Sequence, residues 1–113
     1  MVSVSQEANL DRLSALIDAA ASRADDRVAL FDFVVAIGDL WDRLGLRDPF
    51  VDAQLSDENS RTELARVARG AGGECTQEQE RLAFYALRTL AAFQTVIEGW
   101  RRRPALRAAW VDR

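Results

Sequence analysis

A chain of 113 residues, 49% hydrophobic and 29% charged, has the balance of a globular domain, long enough to bury one modest core and too short for two. It holds no histidine and a single cysteine, which removes the usual serine and cysteine triads, Glu-x-x-His di-iron bundles, an internal disulfide and a four-ligand zinc site built within one chain. The net charge is −3, but residues 1–60 carry 12 acidic groups against 5 arginines, a net of −7, and residues 61–113 carry 6 against 10, a net of +4.

In chain order, Leu10, Leu13, Ile17 and Ala20 recur at three- and four-residue spacing among charged neighbours, which predicts an amphipathic helix over about 5–24. Asp25 or Asp26 is placed to cap a second helix over about 26–44, and Gly45 to end it in the left-handed conformation, with Leu46 folding back on Trp41. This second helix, "RVALFDFVVAIGDLWDRL", keeps its charges mostly on one line through Asp25, Asp32, Asp39 and Arg43. A helix so apolar belongs at the centre of a bundle or in a subunit interface. Asp48 followed by Pro49 starts a short helix reaching Leu55. Ser60 with Glu63 has capping-box spacing for a fourth helix, with Leu64 and Val67 inward and Arg61, Arg66 and Arg69 outward, stopped by "GAGG" at 70–73.

Thr76 with Gln79 opens the longest helix, over about 76–102, with Leu82, Ala86, Leu90, Phe93, Ile97 and Trp100 on one face. Pro104 ends it, and "PALRAAWVDR" makes a last short helix whose Leu106 and Trp110 can pack back. No strand pattern, repeat or low-complexity segment interrupts this reading. The fold class is all-α: one domain over 1–113, a compact helical bundle of three long helices and two or three short ones.

Little in the sequence resembles reactive chemistry. "RGAGGECT" sets glycines before a helix start but lacks the Gly-Lys-Ser/Thr sequence of a phosphate loop, and reads as a connector. Cys75 stands near the same helix start without an accompanying base or resolving thiol, and reads as an ordinary loop thiol. Asp32 and Asp39 lie about 10 Å apart along their helix, too far to share one cation directly, and suit a solvent stripe or pairing with arginines. Neither cofactor nor metal is expected. No apolar run approaches the roughly 18 residues of a bilayer span, and "MVSVSQEANL" lacks the pattern of a secretory signal, so a cytoplasmic protein without membrane attachment is expected. All basic residues are arginine, as GC-rich bacterial coding would give.

Binding surfaces are the remaining candidates. Arg88, Arg101, Arg102, Arg103 and Arg107, with Trp100 and Trp110 nearby, form a candidate face for nucleic acid or an acidic partner. Against phosphate stand three points: consecutive arginines fan around a helix, Trp100 falls on the core side, and cations in a last turn are already favoured by the helix dipole. Asp39, Asp42, Asp48 and Asp52 form a candidate acidic face for a protein partner.

Two resemblances accompany these residues. "LDRLSALIDAAASRADDRVALFDF", residues 10–33, resembles the first long helix of the all-α chorismate mutases, with Arg23 matching an early arginine and Gln94 in "AAFQTVIEGW" a late glutamine of that family. Asp32 stands where the family has lysine, its Asp-x-x-Arg-Glu motif has only fragments in "DENSRTE", and 34–59 is too long, so the resemblance implies at most a degenerate relative without activity. In size and charge polarity the chain is similar to the small all-helical subunits of multi-subunit RNA-guided defence complexes. The expected function is therefore non-enzymatic: a small subunit or adaptor in a larger, nucleoprotein or purely protein, assembly. Self-association and an inhibitor or immunity-type protein with one protein partner stay open beside it.

Overall fold

The computed structural model describes residues 4–68 and 76–103. Five helices make it up, α1 (Val4–Ser22), α2 (Arg27–Leu44), α3 (Pro49–Leu55), α4 (Glu58–Ala68) and α5 (Thr76–Arg102), and the described residues contain no strand. The all-α bundle with three long helices is what the periodicity predicts. The last short helix expected after Pro104, the "GAGG" stop, Cys75, Arg107 and Trp110 lie outside the described residues.

Local chemistry fixes the boundaries. Asp26 caps α2: extended at φ −94° and ψ 104°, it accepts from the Ala29 amide at 3.2 Å, and its pKa lies below the ordinary carboxylate value chiefly because of that bond. Gly45 ends α2 at φ 68°, where a side chain would be strained, and Leu46 turns inward and donates its amide to the Trp41 carbonyl at 3.4 Å. Asp48 accepts from both the Phe50 and Val51 amides at 3.0 Å, with Pro49 in the first turn of α3.

The start of α4 differs from expectation. Asp57, not Ser60, performs the capping, its carboxylate accepting from the Ser60 amide at 3.1 Å and the Ser60 hydroxyl at 2.8 Å. Ser60 sits in the first turn, buried, and accepts from the Arg81 guanidinium at 3.0 Å, which ties α4 to α5. An aspartate three residues ahead caps the Ser60 amide instead of a serine capping the Glu63 amide, so the helix begins about one turn earlier. Glu63 is taken by Arg66 at 2.7 Å.

The core is built around α2, which packs on α1, α4 and α5. Its Leu30, Phe31, Val34, Ile37, Leu40 and Trp41 are buried with Leu10, Leu13 and Ile17 of α1 and the whole predicted stripe of α5. Trp41 meets Phe93 edge to face, with ring centroids 5.5 Å apart. The short α3 lies on α5, held by the Tyr85 hydroxyl, which donates to the Gln54 carbonyl at 2.9 Å. Burial pushes the Tyr85 pKa up, as expected for a phenol that leaves water.

Candidate interaction surfaces

The candidate arginine face does not gather into one patch. Arg101 turns toward α1, donating to Asp18 at 2.6 Å and the Ser14 hydroxyl at 3.1 Å. That bond to Asp18 raises its pKa further above the ordinary guanidinium value. Arg102 lies 3.6 Å from Glu98, one turn back on its own helix. Arg103 is exposed just after the last turn, its amide donating to the Gly99 carbonyl at 2.9 Å. Arg88 stands about 20 Å back along the α5 axis, exposed beside α3. The three consecutive arginines fan around the helix, so their charges point in different directions.

The acidic face is partly spent within the molecule. Arg61 of α4 bonds to Asp42 and lies 3.8 Å from Asp39, so two of the four carboxylates share one guanidinium of the oppositely charged half. Asp48 is occupied as the cap of α3, and Asp52 is half-buried one turn further along. Together with Asp18–Arg101, these contacts show the charge polarity of the sequence closing partly on itself.

The residues missed by charge-based reasoning are apolar. Val28 at the start of α2, Phe50 at the start of α3 and Phe84 in α5 are each 70% exposed, and Leu87 is 42% exposed. Phe84 and Leu87 lie on the outer side of α5, and two recesses flank them. One, of about 380 Å³, is lined by Arg27, Glu80, Ala83, Phe84 and Leu87; the other, of about 450 Å³, by Phe50, Ala53, Gln54, Arg88 and the outer side of α5 as far as Thr95. A third, smaller recess holds Val28 and Phe31 and meets the first at Arg27. The outcome is an apolar band across the outer side of α5, edged by Val28 on one flank and Phe50 on the other. A sequence signal for it existed: Phe84 follows Leu82 by two residues, about 200° around the helix, and so cannot share its buried stripe.

The interior is close-packed. A partly open recess between Val34, Gly38, Asp39, Leu55, Arg61, Leu64 and Tyr85 measures about 40 Å³, well below the roughly 300 Å³ or more of small-molecule sites, and the larger recesses are shallow and open to solvent. Among the described residues no cluster of acidic, histidine or cysteine side chains could hold a metal ion, and no helix is long and apolar enough to cross a membrane.

The chain matches no protein-family model, no curated protein and no solved structure. Where the resemblance to a chorismate-mutase first helix runs unbroken over residues 10–33, this chain has two helices. Residues 23–26 form a turn between α1 and α2, with the Arg23 guanidinium bound to Asp26 at 3.1 Å and the Asp26 amide donating to the Arg23 carbonyl. Gln94 lines an open groove with Thr95, Glu98 and Arg102, and Arg23 does not line that groove.

Proposed function

We propose that this chain is a non-enzymatic helical interaction protein, a small subunit or adaptor that docks onto another protein through the outer side of α5 and its flanks. The observation that carries the reading is the apolar band itself: Val28, Phe50 and Phe84, each 70% exposed, bordering recesses along the outer side of α5 and its flanks, two of which meet at Arg27. Large apolar side chains gathered in this way lose little by being covered and gain the transfer of their surface out of water. Aromatic anchors beside recesses are also the usual centres of interface energy.

The internal engagement of Arg101, Arg102 and Arg61 supports a protein partner over phosphate, because a cation already paired has less to offer a polyanion. The test compares tagged wild type with Phe84→Asp and Phe50→Asp in quantitative co-purification from the native host. A partner held by wild type and lost from both variants, whose circular dichroism is unchanged, is the expected result. In parallel, single-stranded RNA and DNA are titrated at two salt concentrations. Steeply salt-dependent binding that weakens in Arg88→Ala, Arg102→Ala and Arg103→Ala would replace this reading with a nucleoprotein role.

A further inference from the structure

Resting on that docking reading, we propose that the occupant of the α5 face is a second copy of this chain, packed antiparallel across α5 on a two-fold axis at Phe84. Phe84 projects at the centre, with Glu80 one turn before it and Arg88 one turn after, on the same side of the helix. Both flanking groups are exposed, and neither forms an ion pair among the described residues. An antiparallel two-fold at Phe84 sets Glu80 of each copy at the level of Arg88 of the other, and so creates the same pair twice.

Shape follows the same symmetry. Phe84 is a knob beside a hole, the recess of about 380 Å³ left open where Ala83 is small and Leu87 and Arg27 stand at its rim. On the two-fold axis the two Phe84 rings meet each other, and the recess beside each leaves room for the opposing ring to settle offset against it. The charges on the patch favour such a partner over a polyanion or a strongly basic protein. The patch carries both signs, Glu80 before Phe84 and Arg88 after it, so a surface of one sign would meet a like charge, whereas a copy of the same patch sets Glu80 against Arg88. The small net charge of −3 opposes pairing only weakly.

The experiment is sedimentation equilibrium of the full chain from low micromolar to millimolar concentration, with circular dichroism confirming that every variant is folded. Wild type is expected to pass from one chain to two across this range, and Phe84→Asp to remain a single chain throughout. Arg88→Glu, which sets like charges opposite each other twice, should raise the dissociation constant about tenfold. The swap Glu80→Arg with Arg88→Glu restores opposite charges and should return it to within about threefold of wild type. A wild type that stays a single chain overturns the proposal, as does a pair that survives Phe84→Asp or a charge swap that restores nothing. If wild type is a single chain while Phe84→Asp still loses a host protein, the second copy is ruled out and the docking reading stands. If neither association responds to Phe84→Asp, both are overturned.

Discussion

The first half of α5 and its last turn pose opposite problems. In the last turn, Arg101 and Arg102 look exceptional in sequence but are ordinary in place: the helix carboxyl end favours cations, Asp18 takes one guanidinium and Glu98 lies near the other. In the first half, Phe84 and Leu87 look like ordinary bundle residues but lie on the uncovered side. A residue that its local surroundings explain leaves little over for function, and one that violates the local pattern asks for a partner outside the chain. Charge draws the eye to one end of this helix and exposed apolar surface to the other.

The largest effect that can sharpen the contrast comes from two phenylalanines of α5, nine positions apart. Phe93 is fully buried against Trp41, so Phe93→Ala should cost about 3–5 kcal/mol of stability in urea unfolding. Phe84→Ala should fall within about 0.5 kcal/mol of wild type under conditions where the chain is a single copy. If Phe84→Ala instead destabilises the single chain like a core substitution, the band is part of the fold rather than a surface, and the docking reading fails.

The pattern of burial explains what could be read from sequence. The α5 stripe from Leu82 to Trp100 and the enclosure of α2 follow from apolar spacing, because a helix of period 3.6 commits one face to the core. Caps at Asp26 and Asp48 and the stop at Gly45 were legible for the same reason: each answers a backbone need within a few residues. The α4 cap was misplaced since Asp57 and Ser60 both offer an acceptor, and only tertiary contact decides between them: Ser60 is turned inward to Arg81. Ion pairs such as Arg61 with Asp39 and Asp42 depend on which helices meet, so the sequence could show that acid and base would find each other but not which ones. The Phe84 band was hidden for a different reason. Spacing tells which residues share a face, and it does not tell whether another element will cover that face.

A smaller effect tests how firmly the Phe50 flank is attached. The Tyr85 hydroxyl holds α3 to α5 through the Gln54 carbonyl, and Tyr85→Phe removes that bond while keeping the ring. The expected cost is about 1 kcal/mol, with amide exchange in α3 accelerating more than in α2. Uniform acceleration throughout the bundle would show that α3 does not open by itself and that the band is rigid across its width.

Acid should act on the other tie of α5. The Asp57 carboxyl is held below its ordinary value of 3.8, chiefly by the Ser60 amide and then by the Ser60 hydroxyl, and Asp26 is lowered chiefly by the Ala29 amide. A folded value below the unfolded one means that the contribution is full above the unfolded value and is lost as pH falls through the folded one. Melting temperature should therefore drop as pH falls below about 4, and Asp26→Asn with Asp57→Asn should flatten that drop. An unchanged slope would assign acid sensitivity to other carboxylates and leave the α4 cap electrostatically idle.

The smallest effect bears most directly on the last turn. Arg101 and Asp18 are both exposed, and such pairs contribute little and are screened by salt. Arg101→Ala should lower the melting temperature slightly at low salt and not at high salt. The raised pKa of Arg101 makes its contribution present below the unfolded value and lost only far into alkali, so the effect should not vary across neutral pH. A double-mutant cycle with Asp18→Ala decides the matter, because coupling that disappears with salt means the guanidinium is held by α1. Absence of coupling at low salt would free Arg101 to stand with the exposed Arg103 at the end of α5, and make the arginine cluster the stronger candidate surface.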